Sequence, residues 1–171
     1  WSAPIRVSAD PSVPAFTPTL SVLPGGLVGV TYYDFREAGT PTYQPTDVWL
    51  AVSRDRATWR ETRLAGRFDM LDAPNANGLF VGDYQGLSGD GSTFVTLYSR
   101  TNNGSTSNRT DVFADRVNAN AILALAAEPG TDVRSRKAAP VPWSPAAQER
   151  VSRHLAAVLE QRRALWRDWR E

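Results

Sequence analysis

The sequence lacks cysteine altogether and has a single histidine, His154, in 171 residues. Without cysteine there are no disulfides, no thiol nucleophile and no thiolate metal site. A single histidine excludes a histidine-rich metal cluster and most catalysis by serine–histidine pairs. No apolar run approaches the roughly 18 residues that a membrane-spanning helix needs. We therefore predict that the protein uses no metal and no cofactor, and that a membrane is not its partner.

An excess of charge of one sign is also missing, because 19 Lys and Arg residues face 18 Asp and Glu residues. This balance gives no electrostatic reason to expect nucleic acid as a partner. Hydrophobic residues make up 42% and charged residues 22%, which is typical of a globular protein and excludes disorder over most of the chain. Lys137 is the only lysine, a bias typical of GC-rich bacterial genomes. Because the chain begins at Trp1 and its single methionine is Met70, we expect a processed or cut product.

Residues 1–117 have the pattern of many short β-strands. Apolar runs alternate with clusters of Gly, Pro, Asn and Asp, which favour turns. Residues 16–22 and 27–33 flank a Pro-Gly-Gly turn and predict a β-hairpin. Residues 48–52 are apolar throughout, as in a strand that is covered on both faces. Later runs at residues 93–98 and 112–117 continue the series, so we predict an all-β fold for this part.

The rest of the chain predicts a linker over residues 118–143 and one long amphipathic α-helix over residues 144–171. Ser144 is a suitable N-cap, and Pro145 suits the first helical position. Apolar side chains recur along this segment at helical spacing: Val151, Leu155, Val158, Leu159, Leu165, Trp166 and Trp169. We expect this stripe to pack on the β-rich part or on a partner rather than on a membrane.

Three pairs of similar segments recur in the same order and indicate an internal repeat. Residues 1–7 resemble 59–64, residues 25–32 resemble 91–98, and residues 46–49 resemble 110–113, at offsets of 58, 66 and 64 positions. A unit of about 60 residues with four strands fits one blade of a β-propeller. The chain therefore predicts about two four-stranded antiparallel blades.

Residues 53–59 read Ser-Arg-Asp-Arg-Ala-Thr-Trp, which resembles the Asp-box, Ser-x-Asp-x-Gly-x-Thr-Trp, of sialidase-like (BNR-repeat) propellers. The match is one residue short, and Ala57 stands near the place of the glycine. Residues 31–36 and 78–86 also resemble secreted bacterial proteins of this family. The resemblance covers residues 1–117 and implies sialidase-like blades in a secreted or cell-surface bacterial protein. It also implies that Asp55 is structural, because in this family the box lies away from the active site.

The resemblance places the candidate site at the opposite end, in loops 8–16, 34–46, 66–82 and 99–110. Sialidases bind the substrate carboxylate with arginines. Their nucleophile is a tyrosine backed by a glutamate, and an aspartate acts as general acid and base. The resemblance thus implies Arg36, Arg67 and Arg100 as substrate-binding residues. As catalytic residues it implies Asp34, Glu37, Asp83 and Tyr84.

Structural roles are the simpler interpretation for several of these residues. Asp34 and Asp83 lie at predicted strand ends, where acids commonly cap turns, and the arginines suit surface ion pairs. Tyr32, Tyr33 and Tyr98 have the spacing of core residues in strands. One further loop is either solvated or offers oxygen ligands to Ca²⁺, through Asp69, Asp72, Asn75 and Asn77.

Two function classes therefore remain open. The first is an exo-glycosidase of the sialidase-like type, or a fragment of one, that acts on extracellular glycans. The second is a non-catalytic module that binds glycan or protein and assembles through its blades and its C-terminal helix. Residues 34–37 differ from the Phe-Arg-Ile-Pro segment of active sialidases, which favours a protein that is sialidase-like in fold with its chemistry unproven.

Two isolated blades would leave both side faces uncovered, so we expect the chain to belong to a larger propeller or to form a homo-oligomer. Residues 1–8 look like a fourth strand without a blade, and the second unit lacks a clear fourth strand. If residues 1–8 completed a neighbouring copy, three copies would close a six-bladed ring through head-to-tail contacts.

Overall fold

The computed structural model describes residues 5–125 together with the isolated residues Glu149 and Arg153, and it is mostly β. Sheet 1 has four antiparallel strands in chain order: β1 (Ala15–Val22), β2 (Val28–Asp34), β3 (Pro45–Ser53) and β4 (Arg60–Asp69). Sheet 2 has three antiparallel strands in chain order: β5 (Gly86–Asp90), β6 (Thr93–Thr101) and β7 (Thr110–Asn118). A 3₁₀ turn (Met70–Asp72) follows β4, and a short helix α1 (Ala119–Leu125) follows β7.

The prediction of an all-β fold for this part is confirmed, and the strand count needs one correction. Sheet 1 has the four strands that were expected, whereas sheet 2 has three among the described residues. Residues 5–8, which belong to the segment expected to be a strand without a blade of its own, are in no strand of this chain. These residues have no strand partner, and Val7 instead packs against the side chains of sheet 1. The described strands form two separate sheets and show no closed ring.

The predicted linker and C-terminal helix fall largely outside the described residues. Ala119–Leu125, at the start of the predicted linker, form α1. Within the predicted helix over residues 144–171, only Glu149 and Arg153 are described. Both are helical, and Arg153 Nη2 lies 3.6 Å from Glu149 Oε1. No helix in the described part of the chain is long and apolar enough to cross a membrane.

The core lies between the two sheets, and we call the faces that meet there the inner faces. Tyr33, Val48 and Phe68 of sheet 1 pack with Tyr98 of sheet 2 near one end. Leu50 and Val52 pack with Phe94 and α1 near the other. Gly29 lets Phe94 approach β2 directly, because a Cβ at this position would lie 2.5 Å from Phe94 Cζ.

The connections divide into two ends. At the loop end lie the longer connections, residues 35–44, 70–85 and 102–109; at the turn end lie residues 23–27, 54–59 and 91–92. Gly25 and Gly26 in the first turn have φ of 84° and 81°, which glycine adopts without strain.

Each sheet also has an outer face, which points away from the other sheet. On sheet 1 this face carries Val28, Val30, Tyr32 and Ala51, partly covered by Val7, Trp49 and Trp59. Leu20 and Val22 lie beside Val30 and Val28 and are exposed. On the outer face of sheet 2, Leu97 and Val112 are exposed. Both outer faces therefore leave apolar side chains in solvent, as expected for sheets that pack on further partners.

Candidate functional site

The turn between β3 and β4 is closed by the residues of the predicted Asp-box. Asp55 Oδ1 accepts hydrogen bonds from the backbone N–H of Thr58 (2.7 Å) and Ala57 (2.9 Å), and from Ser53 Oγ (3.0 Å). Ser53 Oγ in turn accepts from the backbone N–H of Arg56 at 2.8 Å. Trp59 packs on the outer face of sheet 1. The backbone donors hold the pKa of Asp55 well below its usual value, so this carboxylate stays charged and supports the turn.

Arg36, a predicted substrate-binding residue, is engaged by two carboxylates of its own chain. Its Nε donates to Asp34 Oδ2 at 2.8 Å. Its two terminal nitrogens donate to Glu61 at 2.9 and 3.2 Å. The guanidinium also lies 3.5 Å above the ring centre of Trp49, a cation–π contact. Because these contacts use most of its donors, Arg36 is not free to bind the carboxylate of a substrate in this conformation.

Tyr32 lies beneath Arg36, and its hydroxyl donates a hydrogen bond to Glu61 Oε2. The tyrosine is 3% exposed. Burial, and then the charge of Glu61, raise the pKa of Tyr32 well above its usual value. The arrangement is a tyrosine backed by a glutamate, but the phenol is held protonated and is covered from solvent.

Asp34 and Asp47 are neighbours on paired positions of β2 and β3, and both are almost fully buried. Asp34 Oδ1 accepts from Trp49 Nε1 at 3.0 Å. Asp47 has only longer ion pairs, with Arg63 at 3.6 Å and Arg67 at 3.9 Å. Its Oδ1 has no hydrogen-bond partner among the described residues. Burial raises the pKa of both carboxyls above the usual aspartate value, and the nearby arginines limit that rise.

Of the other predicted site residues, Arg67 and Glu37 adjoin this group at Asp47, whereas Arg100, Asp83 and Tyr84 lie outside it. Arg67 Nη2 is paired with Glu37 Oε1 at 2.7 Å. The guanidinium of Arg100 lies 3.9 Å above the ring centre of Phe113. Asp83 and Tyr84 follow in the loop before β5, and Tyr84 is 82% exposed. Ion pairs therefore join Asp34 to Arg36, and Glu37 through Arg67 to Asp47. Among the described residues, no hydrogen bond or ion pair joins Asp83 or Tyr84 to either set.

The loop that offered a possible calcium site uses its oxygen atoms for backbone contacts. Asp69 Oδ1 accepts from the backbone N–H of Gln44 at 2.8 Å and of Leu71 at 3.0 Å. Asp72 Oδ2 accepts from the backbone N–H of Gly104 at 2.7 Å. No group of three or more His, Cys, Asp or Glu side chains that could hold a metal ion occurs in the described part of the chain. These acids therefore tie the β4–β5 loop to its neighbours.

The internal repeat places one aromatic pair at equivalent positions in each of the two sheets. Tyr32 pairs with Trp49 across β2 and β3, and Tyr98 pairs with Phe113 across β6 and β7. Tyr98 Oη donates to Asp115 Oδ2 on the adjacent strand β7 at 2.5 Å, whereas Tyr32 donates to Glu61 on β4, beyond β3. Each aromatic partner also lies under an arginine. These matches at offsets of 66 and 64 positions indicate two copies of one structural unit.

Sequence reasoning missed the roles of Glu61, Trp49 and Asp47. Glu61 reaches Tyr32 across the intervening strand β3, and only the strand register determines that contact. The alternation along β3 was a usable signal, because Asp47 and Trp49 share a face with Ala51. The prediction that residues 48–52 are apolar on both faces overlooked this alternation.

No family model matches the chain, and neither a curated protein nor a solved structure is significantly similar to it.

Proposed function

We propose that the chain is part of a sialidase-like β-propeller that binds glycans at its loop end without hydrolysing them. The fold part of this proposal is supported by the Asp55 turn, whose contacts are those of an Asp-box. The repeated unit of sheets 1 and 2 supports it as well. A secreted or cell-surface location goes with the same proposal.

The proposal that the chain does not hydrolyse glycans is supported by the ion pairs that already occupy its arginines. Arg36 is held by Asp34 and Glu61, and Arg67 is held by Glu37. A clamp for a substrate carboxylate needs guanidinium donors that are not already neutralised. In this structure such a clamp would first have to break ion pairs, one of which is nearly buried, at a substantial cost in free energy.

Tyr84 and its neighbours supply the groups that a sugar would contact. The exposed ring of Tyr84 offers an apolar face for the C–H face of a sugar, with a hydroxyl at its tip. The adjacent Asp83 is exposed and can accept hydrogen bonds from sugar hydroxyls. The next side chain, Gln85, is buried, and both its amide atoms lack a partner among the described residues. An unpaired buried amide is costly, so a ligand hydroxyl or water that reached it would be stabilised.

The test is a binding assay with a panel of sialylated and neutral oligosaccharides, followed by isothermal titration of the strongest binder. We expect saturable binding that Tyr84→Ala abolishes and Tyr84→Phe largely retains, because the phenyl ring preserves stacking. Tyr43→Ala is the matched control, since Tyr43 is another exposed tyrosine at the loop end. The absence of binding across the panel, or equal losses in both alanine variants, would contradict the proposal.

A second candidate, an exo-glycosidase, is favoured by one observation, the hydrogen bond from Tyr32 to Glu61. In this alternative Tyr32, rather than Tyr84, would be the nucleophile once its cover opened. A fluorogenic sialoside distinguishes the two candidates. Turnover that Tyr32→Phe removes and Tyr84→Phe spares would establish the glycosidase, and the absence of turnover is the result that our proposal expects.

A further inference from the structure

The two sheets differ at their outer edges. In sheet 1, β3 pairs with β4 from Pro45 to Val52, with two shifts of register. In sheet 2, the equivalent strand β7 has β6 on one side and no strand on the other among the described residues. Val112, near the start of β7, is 70% exposed. An unpaired edge with apolar side chains is a template for the addition of another strand.

The chain itself contains a segment with the sequence character of the missing strand. Residues 1–7 resemble residues 59–64, which lead into and form the first half of β4. Residues 5–8 are not in a strand of their own chain. Ile5 is exposed, and Val7 contacts the outer face of sheet 1 rather than β7.

We infer that the edge of β7, which has no strand partner among the described residues, binds the segment around Ile5 and Val7 of a second copy of this chain as the fourth strand of sheet 2. The repeat sets the register of this pairing. In sheet 1, Val48 pairs with Ala65 and Trp49 with Arg63. The repeat offset of 64 converts Val48 and Trp49 of β3 into Val112 and Phe113 of β7. The repeat offset of 58 converts Ala65 and Arg63 of β4 into Val7 and Ile5, so Val7 would lie opposite Val112 and Ile5 opposite Phe113.

Such an exchange is head-to-tail, because each copy donates its segment at one place and accepts one at another. Contacts of this kind close into rings or extend into filaments. A ring of three copies would contain six sheets and have three times the 18.8 kDa mass of the chain, roughly 56 kDa. The inference concerns assembly alone and is independent of glycan binding at the loop end.

Because the chain has no cysteine, any disulfide in the full chain must form between introduced cysteines, and disulfide trapping can test the pairing. A Val7→Cys protein is mixed with a Val112→Cys protein under mild oxidation, and mass spectrometry identifies the disulfide that joins residues 7 and 112. Directly opposed residues of antiparallel strands have Cα separations of about 4.5–5.5 Å, which a disulfide can span. Arg116→Cys replaces Val112→Cys in the matched control. It lies four residues further along β7, about 13 Å away at the rise of a strand.

We expect at least tenfold more 7–112 disulfide than 7–116 disulfide. Ile5→Lys in the donor protein should reduce the yield severalfold, because Ile5 would lie beside Phe113 in the exchanged strand. Ala9→Lys, outside the repeated segment and exposed, should leave the yield unchanged. Equal disulfide yields at residues 112 and 116, or no disulfide between the two different proteins, would overturn the inference. Circular dichroism of each variant establishes that the acceptors are folded.

Discussion

Sheets 1 and 2 carry similar contacts in different environments, although the carboxylate lies on β4 (Glu61) in sheet 1 and on β7 (Asp115) in sheet 2. In both, a tyrosine hydroxyl donates to a carboxylate, and the aromatic residue on the next strand lies under a guanidinium. In sheet 2 this tyrosine, Tyr98, contributes to the core between the sheets. In sheet 1 the equivalent Tyr32 lies on the outer face beneath Arg36. One pattern thus completes a core in one sheet and covers a surface in the other, so its presence alone does not indicate a catalytic centre.

The largest expected loss of stability comes from a substitution on the inner face of sheet 2. Comparing it with a substitution on the outer face tests whether only the inner face belongs to the core. Phe94 is fully buried against Gly29, so Phe94→Ala should lower the free energy of unfolding by about 3–5 kcal/mol. Leu97, on the opposite face of β6, is 48% exposed, and Leu97→Ala should cost less than about 1 kcal/mol. Urea denaturation measures both. Similar losses in the two variants would contradict the assignment of the faces.

A second test concerns the close approach of the sheets. Gly29→Ala places a Cβ 2.5 Å from Phe94 Cζ and should destabilise the fold by about 1–3 kcal/mol through overpacking. Gly66→Ala is the control, because a Cβ there meets no atom within 4 Å, and its effect should stay within about 0.5 kcal/mol. Urea denaturation of the purified variants gives both values. If Gly29→Ala were neutral, the sheets would be further apart than the structure places them.

The pH dependence of stability separates the buried acids from the turn acid. Because the folded-state pKa of Asp47 is raised above 3.8, the contribution of Asp47 to stability falls as the pH rises from that value toward the folded-state pKa. Asp47→Asn removes this loss. The folded-state pKa of Asp55 is lowered, so its contribution is present above pH 3.8 and disappears as the pH falls toward the folded-state pKa.

Thermal denaturation between pH 3 and pH 7 checks both signs. Relative to the wild type, Asp47→Asn should become more stable as the pH rises. Asp55→Asn should become less stable over the same interval, because Asp55 keeps its charge in the folded wild type while the unfolded wild type releases its proton as the pH rises through 3.8. Parallel curves for the two variants would show that the two acids have similar environments.

Replacing Tyr84 should change the stability of the fold least, although it should change glycan binding most. Tyr84 is exposed in the loop before β5, so Tyr84→Ala should change the free energy of unfolding by no more than about 0.5 kcal/mol. Urea denaturation measures this change under the conditions of the glycan assay. A loss of several kcal/mol would mean that Tyr84 supports the fold, and a loss of binding in this variant would then carry no information about the site.

The features that depend on neighbouring residues in the chain could be predicted from the sequence. The hairpin expected from residues 16–22 and 27–33 corresponds to β1 (Ala15–Val22) and β2 (Val28–Asp34). Its Pro-Gly-Gly turn has the positive φ angles that glycine permits. The turn at Asp55 followed from its short motif. Such features are determined within a few residues, so the chain pattern contains them.

The features that depend on register could not be predicted. Glu61 meets Tyr32 only because β4 and β2 flank β3 in a particular register, and Arg36 folds back over Trp49 from the loop end. Residues 1–7 resemble the start of β4, but residues 5–8 belong to no strand in the described part of the chain. The predicted catalytic and substrate-binding roles stay predictions, since the structure places those residues without a substrate.

The most direct test of the account is an NMR titration of the ¹⁵N-labelled chain with the strongest binder from the glycan panel. We predict saturable shifts at the amides of residues 82–86, at the loop end, and none at residues 53–59, in the Asp55 turn. Shifts confined to the Asp55 turn, or no saturable shift at any residue, would contradict glycan binding at the loop end.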